Sequence, residues 1–590
     1  MPDIAYLGPE DYNEESLVAR LETERPTVLS VDTETVSLKD RRIIGLGIGL
    51  SQREAVYFPA WPYRSKHLDL AWRLLATYST KVFHNAMYDL TAITDYMELQ
   101  VEDWQGGGLM GTLPSWLGGG QLADTSAMGQ VQGLPSTQLA EMSHSYLGED
   151  IDAISDILPE RKTMLDLPLE VVANKCMRDC LATIRLYYKQ GGPEWWGPDG
   201  HTWSYEPNYF GGWNPLEPDS YHVSPQMKDC YQVDMRLIPL LMRMSRRGIA
   251  LRPDRVESWY RRVRKQVQVY EEICEKEGFE PSKNQQVGYV LASRGNFLPF
   301  TKSGRQLKTD NVVLENLNDP LAVVVLQYRK YSKLKGTYLG PWLDEERAYT
   351  NFRLDLSTAR LSSFDRNMQN IPAPIRDVFE PDSGIWSMMD DNQIEMRVFA
   401  HVTQDPVMLK AYANGSDIHA TTQMALWPGS DLRDEVIRTR AKTFNFAEIF
   451  FAIVKTLSRH TGLPEAICAR YDQVWKGTYP DAHRWMLSKE KEDTLWAENI
   501  YGRRCKLPDI TRFSPKHIVN CRINYPIQSS AAEIVKRQML WCDRLNIDQA
   551  LQVHDEILAD GDYDFPEELA HIHPELHTPF KVKKGPNWVK

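Results

Sequence analysis

The sequence predicts a multidomain protein made of α/β and α+β units, and three observations support this. The chain has 590 residues, well beyond the roughly 250–300 at which a single hydrophobic core stops growing. Residues 27–58 read as three short strands with polar turns, followed by helical periodicity at 67–78. Two long helical regions, at 227–275 and 321–339, then precede mixed α/β patterning from 348 to the end.

The three strands are carried by TVLSVDTET, RIIGLGIGLS and EAVYFP. WQGGGLMGTLPSWLGGGQ at 104–121 is too glycine-rich for a regular element and reads as a surface loop. The Gly-, Pro- and Trp-rich stretch at 191–225 is the best domain boundary, with tryptophans that suit packing against a neighbour. No internal repeat is visible.

With 42% hydrophobic, 10% aromatic and 25% charged residues, the composition is globular rather than disordered or fibrous. No apolar run approaches the roughly 18 residues of a membrane span. The start, MPDIAYLGPEDYNEE, lacks the basic-then-apolar order of a signal peptide. The expectation is a soluble, cytoplasmic chain with no membrane partner. Eight cysteines are scattered without a Cys-x-x-Cys pair, which argues against a disulfide framework or zinc site and for reduced thiols.

A net charge of -12 counts, as an average, against nucleic-acid binding. Locally the balance inverts: Arg243, Arg246, Arg247, Arg252, Arg255, Arg261, Arg262, Arg264 and Lys265 face only Asp254 and Glu257 over that stretch, and Arg329, Lys330, Lys333 and Lys335 follow. Each cluster reads either as a solvated helix face or as a phosphate-binding surface.

Two constellations carry chemistry. In the first, Asp32 and Glu34 alternate along a strand, so both project from one face; a solvated strand end would look the same. Asp89 closes His84-Asn85-Ala86-Met87-Tyr88-Asp89, and Asp179 sits in a helical run. Together the four acids could hold two hard divalent ions through oxygen ligands. In the second, IWSMMDDNQIEMRVFAH (385–401) runs from strand into helix through Asp390 and Asp391, with Gln393 and Glu395 beyond. Either aspartate could coordinate a metal. LQVHDEIL (551–558) reads as strand, turn, strand with His554-Asp555-Glu556 at its tip, which an ordinary polar hairpin would also give. Arg438, Lys442 and Phe446 recur every four residues and line one helical stripe of about 12 Å at 1.5 Å per residue. Two cations at one end suit a triphosphate, and the ring at the other could stack on a base or sugar.

VDTET, HNAMYD and RDCLAT resemble, over roughly 27–190, the 3′-5′ exonuclease domain of the bacterial DNA polymerase I family, family A. The segments around Asp390, Arg438 and Asp555 resemble that family's polymerase motifs A, B and C. ARLSSFDRNMQNIP (359–372), YGRRCKLPDI (501–510), INYPIQSSAAEIVKR (523–537) and YRKYSKLKGTY (328–338) resemble it further, covering almost all of 228–590.

The resemblance implies a ribonuclease H-like exonuclease domain (1–190) and a linker (191–227), followed by a right-hand polymerase. Its parts would be thumb (228–347), palm (348–430), fingers (431–505) and palm again (506–590). It implies template-directed addition of deoxynucleotides to a primer, with Asp390 as catalytic acid because Gln-Ile-Glu follows it; Asp391 stands where the family usually has tyrosine. Asp390, Asp391 and Asp555 would hold two Mg²⁺, and Asp32, Glu34, Asp89 and Asp179 two further divalent ions. Arg438, Lys442, Phe446, Glu395 and Gln393 would bind the nucleotide, with Glu395 excluding a ribose hydroxyl and Phe446 disfavouring dideoxynucleotides. Arg360, Asn367, Gln369, Asn524, Gln528 and His554 would contact DNA, and both basic clusters would grip phosphates.

Two departures stand out. Lys175 occupies the position of a water-orienting tyrosine, and Ala447, Phe450 and Phe451 replace glycine, tyrosine and glycine. The expected partners are primed DNA and deoxynucleoside triphosphates; whether a processivity partner binds is not derivable from the sequence. The start within the exonuclease-like region resembles a phage replicative type without a 5′-nuclease. A stand-alone exonuclease, or a repair polymerase with silent proofreading, is the alternative.

Overall fold

A computed structural model describes residues 5–7, 17, 23–24, 26–37, 40–60, 66–77, 79–96, 121–158, 162–192, 195, 223–301 and 304–588. The loop expected at 104–121, save its last residue, and most of the boundary at 191–225 lie outside them. Among the described residues no helix is long and apolar enough to cross a membrane.

The three strands read from the sequence enter a six-stranded sheet. Its members are β1 (Ala5–Leu7), β2 (Val28–Thr35), β3 (Ile43–Ser51), β4 (Glu54–Pro59), β5 (Thr80–Phe83) and β6 (Leu122–Asp124), in the order β1-β4-β3-β2-β5-β6. β2, β3 and β4 form an antiparallel meander, and β5 and β6 continue it in parallel. Burial along nearly all of β3 shows that both faces are covered. Helices α1 (Lys66–Leu75), α2 (Ala86–Tyr96) and α3 (Leu169–Lys189) accompany the sheet. α3 can lie directly on β3 because position 47 is glycine. A Cβ there would come within 2.7 and 2.8 Å of the Cys176 and Cys180 sulfurs. That close approach carries Lys175 and Asp179 over the acids of β2.

The helical stretch expected at 227–275 is two helices, α4 (Pro225–Arg247) and α5 (Pro253–Lys276), separated by strand β7 (Ile249–Leu251). Gly248 ends α4 at φ +58, a left-handed conformation that costs glycine little. Pro253 restarts the helix at its first turn, where no amide donor is missed. Between them β7 pairs with β8 (Arg347–Ala348) and β9 (Phe379–Glu380). The region expected at 321–339 is α6 (Pro320–Lys333), continued by a wider π-helical turn over Leu334–Leu339.

A second sheet, entirely antiparallel, runs β11-β12-β10-β13 and comprises β10 (Trp386–Asp391), β11 (Gln549–Val553), β12 (Glu556–Asp560) and β13 (Phe580–Gly585). α7 (Ile394–Thr403) follows β10 directly, then α8 (Ile418–Leu426), α9 (Glu435–Ile449) and the 30-residue α10 (Pro515–Arg544). Trp386, Met388, Met389, Phe399, Ile534, Met539 and Leu558 share one buried cluster that joins sheet, α7 and α10.

A buried ion network fixes α10 against α4. Arg503 donates to Asp234 at 2.7 Å and to Glu533 at 2.6 Å, while Lys536 Nζ donates to Asp234 at 2.6 Å. Arg537 pairs with both Glu533 and Asp229. Arg503, Asp234, Glu533 and Lys536 are essentially inaccessible to solvent. Each charge is matched, which is the condition under which burial is tolerable.

Candidate functional site

Antiparallel pairing brings residues far apart in sequence to one place. Asp390, next to last in β10, is the cross-strand partner of Glu556, and the Asp391 amide donates to the Asp555 carbonyl at 3.1 Å. Asp390 and Asp555 therefore occupy neighbouring positions at adjacent strand ends, both partly exposed. The two other acids in this register are buried. Glu556 accepts from Trp588 Nε1 at 2.5 Å.

Asp391 corrects the expectation of a third metal ligand. It is 2% exposed, and its Oδ1 accepts from Gln538 Nε2 at 3.0 Å. Burial pushes its carboxyl well above the usual carboxylate range, with Gln538 pulling the other way. Consecutive strand residues point to opposite faces, so the two aspartates leave β10 on opposite sides: Asp391 goes into the core, and Asp390 stays partly exposed at the strand end.

That cleft is a cavity lined by Arg360, Gln393, Glu395, Phe446, His554 and Asp555, among others. Lys536 and the small residues Ala531 and Ala532 of α10 also line it. Asn524 and Gln528 precede these on the same helix at spacings of four and about eight residues, which places them on the same stripe. His554, exposed, makes the hairpin turn at φ +59.

Arg438, Lys442 and Phe446 all lie on α9 as their spacing requires. The helix is anchored from behind: buried Asn445 accepts from Thr422 Oγ1 at 2.8 Å and from Trp475 Nε1 at 2.9 Å. Phe446 sits 5.9 Å from the His419 ring and 5.9 Å from the Lys442 ammonium. Arg438 donates twice to Asp417 Oδ2, at 3.0 and 2.7 Å, and Gln393 donates to Asp417 Oδ1 at 3.1 Å. Asp417 also caps α8 through the His419 amide. Sequence reasoning missed Asp417, although an aspartate immediately before a helical run is the ordinary N-cap signal. It missed Lys536 because its partner, Asp234, lies in a distant segment.

Three other expectations change. Arg360 faces the cavity but pairs with Glu395, whose carboxyl burial pushes upward while Arg360 opposes the shift. Gln369 is buried and spends its amide internally, accepting from the Ser363 amide at 2.9 Å and donating to Gln552 at 2.9 and 3.2 Å. Its amide ties this segment to β11; Asn367 beside it accepts from Ser363 Oγ at 3.1 Å. The basic cluster at 243–265 does not form a single patch. Arg243, Arg246, Arg247 and Arg252 pair with Asp543, Asp95, Asp560 and Glu380. Arg262, Arg264 and Lys265, with Lys330 and Lys333 of the second cluster, remain exposed.

The first constellation also assembles. Asp32 and Glu34 lie on β2; Asp89 on α2 accepts at Oδ1 from the Thr33 amide and hydroxyl at 2.9 and 2.6 Å; and Asp179 on α3 faces Glu34 across Lys175. Burial pushes Glu34 up to about 8 and Asp179 up to about 6, against the pull of the Lys175 ammonium. Asp124, not singled out in the sequence, holds the Asn85 and Ala86 amides at 3.2 and 2.6 Å and so fixes the start of α2.

In both clusters the donor set is carboxylate oxygen, which suits hard divalent cations. Asp390 and Asp555 are both partly exposed, whereas at the first cluster an ammonium lies between two of the acids.

Comparison with known proteins points one way. The model of DNA polymerase family A matches residues 254–582. DNA polymerase I of Deinococcus radiodurans is 32% identical over 327 residues, 49% of this chain and 34% of that protein. DNA polymerase I of Synechocystis is 26% identical across 98% of this chain and 61% of that one. The chain thus spans about a third to three-fifths of the length of these curated relatives. In fold it is similar to the POL domain of Pol1 from M. smegmatis, solved in complex with DNA primer-template and dNTP: TM-score 0.71 at 18% identity, with 99% of both chains covered.

Proposed function

The chain belongs to DNA polymerase family A, and from that premise we propose that it adds deoxynucleotides to a primer 3′-hydroxyl as directed by a template. One observation carries this reading: Asp555 and Phe446 line the same cavity, with Asp390 at the adjoining strand end. Acids able to hold cations thereby face the helix able to hold a triphosphate.

Asp390 and Asp555 would hold two Mg²⁺. When bound, these ions acidify the 3′-hydroxyl and neutralise charge on the triphosphate and departing pyrophosphate. The protein supplies positioning. Lys442, exposed on α9, and Arg438, sharing its guanidinium with Asp417, take the phosphates. Phe446 stacks beside the sugar and base. Glu395, held by Arg360, fills the space at C2′, so a ribose hydroxyl meets both a steric clash and an unpaired buried polar group. Asn524, Gln528 and His554 border the place for the terminal base pair, where donors can read minor-groove acceptors common to all correct pairs. In this reading residues 348–430 and 506–590 form the palm, 431–505 the fingers and 228–347 the thumb. Primer extension on a primed single strand, with Mg²⁺ and all four deoxynucleotides, tests it. Template-length products are expected, and their absence would reject the polymerase reading.

A second activity is supported by residues 27–190. The strand order β4-β3-β2-β5-β6, with only β3 antiparallel to its two neighbours, suits a ribonuclease H-like unit, and Asp32 lies near enough to Glu34, Asp89 and Asp179 for its charge to push each of their carboxyls upward. We assign it a 3′-5′ exonuclease role on single-stranded DNA. Loss of 3′ nucleotides from a labelled single strand, abolished by Asp32→Ala, is the outcome this assignment requires.

A further inference from the structure

We infer that the Lys175 ammonium takes the place of one of the two divalent cations at the cluster of Asp32, Glu34, Asp89 and Asp179, so that this site holds at most one ion. The inference rests on the exonuclease reading for its functional consequence, but not for its geometry.

Lys175 Nζ lies 2.6 Å from Asp179 Oδ2 and 3.0 Å from Glu34 Oε1. The three side chains are only 12%, 11% and 6% exposed. An ammonium at those distances fills the space between the two carboxylates where a bridging ion would sit. Lys175 is not a surface side chain that swings in by chance. It stands one turn before Asp179 on α3, a helix locked to the sheet at Gly47 and by the Ser30 hydroxyl donating to the Cys180 carbonyl at 2.7 Å.

The charge balance agrees. Four carboxylates and two divalent ions sum to zero, whereas the same six groups with a lysine leave an excess positive charge in a buried site, which is costly. One divalent ion with Lys175 leaves a single negative charge instead. The remaining two acids are contacted by neutral donors. Cys176 Sγ approaches Asp32 Oδ2 at 3.2 Å, and Thr33 donates to Asp89. Asp32 and Asp89 are therefore the pair left for the single ion. A two-cation attack on phosphorus would lack one of its charges, and 3′ degradation supported by Mg²⁺ would be slow.

The test counts Mn²⁺ by electron paramagnetic resonance in full-length protein carrying Asp390→Asn and Asp555→Asn, which removes the other acid pair. The number assigned to this cluster is the number lost on adding Asp32→Asn. With Lys175 present the expected number is one or none; with Lys175→Met or Lys175→Tyr it is one higher. Two ions lost from the Lys175 protein would overturn the inference. So would an equal number in a substituted protein whose circular dichroism shows it folded. Should neither substitution fold, the count in the Lys175 protein decides alone. Degradation of a 3′-labelled strand by Lys175→Tyr with Asp390 and Asp555 intact separates the two claims. A protein that gains the ion yet degrades nothing would reject the exonuclease role and leave the role of Lys175 standing.

Discussion

Burial treats neighbouring side chains in opposite ways, and much of the chemistry follows from which of two adjacent residues it takes. Asp390 and Asp391 are indistinguishable by composition, and both flank the same apolar run. Strand alternation sends them to opposite sides, Asp391 to Gln538 and Asp390 to a partly exposed strand end. No spacing rule applied to the sequence alone chooses between them; the burial of Asp391 and the partial exposure of Asp390 do. Lys175 is similar. Its position beside Asp179 was legible, but whether it would meet a hydroxide or bridge two acids depends on a side-chain path that only packing determines. At the cleft, Glu395 and Phe446 invite direct tests. In the proposed reading Glu395→Ala would remove the wall at C2′ and should raise ribonucleotide incorporation at least about tenfold, roughly 1.4 kcal/mol of discrimination. Misincorporation assays with one nucleotide at a time would measure it. Phe446→Tyr should raise dideoxynucleotide incorporation relative to deoxynucleotide, and an unchanged ratio in a competition assay would contradict the place given to that ring.

Elements were more legible than the contacts between them. The strands at 27–58, the strand-to-helix passage at 390 and the hairpin at 554 could be read because periodicity and turn residues are local signals. Gly248 and Pro253 were equally visible as a stop and a start, yet a run of helix-compatible residues on either side masked them. What could not be read was the junction of α4 with α10, whose partners Asp234, Arg503 and Glu533 come from three separate segments. Here Glu533 should be decisive. Burial alone would raise its carboxyl, but Arg503 and Arg537 hold it down at about 2, from 4.5. A group whose value falls on folding adds stability that is complete above its unfolded value and is lost as pH drops toward the folded one. Glu533→Gln should therefore cost about 3–5 kcal/mol near neutrality by stranding buried guanidinium charge. The gap from the parent should narrow as pH falls from about 4.5 toward 2. Chemical denaturation across that range would show it, and a gap that widens in acid would exclude the network as described.

At the scale of the molecule, a chain of net charge -12 would, in the proposed role, have to grip a polyanion through local clusters of cations. Arg243, Arg246, Arg247 and Arg252 hold the fold together, leaving Arg262, Arg264, Lys265, Lys330 and Lys333 exposed for phosphates. Five such contacts correspond to a slope of about -4.5 in log affinity against log salt on duplex DNA. Arg264→Ala should flatten that slope by about 1, whereas Arg243→Ala should weaken stability and leave the slope unchanged. Fluorescence anisotropy over a salt series distinguishes them.

In the proposed polymerase reading Asp390 and Asp555 form the cation-holding pair while Asp391, one residue away, is structural. Single-turnover incorporation of one correct deoxynucleotide, with Mg²⁺, tests it most directly when the wild type is compared with Asp390→Asn, Asp391→Asn and Asp555→Asn. Losses of at least about a thousandfold, roughly 4 kcal/mol of barrier, are expected for Asp390→Asn and Asp555→Asn. Asp391→Asn should stay within about tenfold of wild type. Equal losses at 390 and 391, or near-wild-type rates without Asp390, would contradict it.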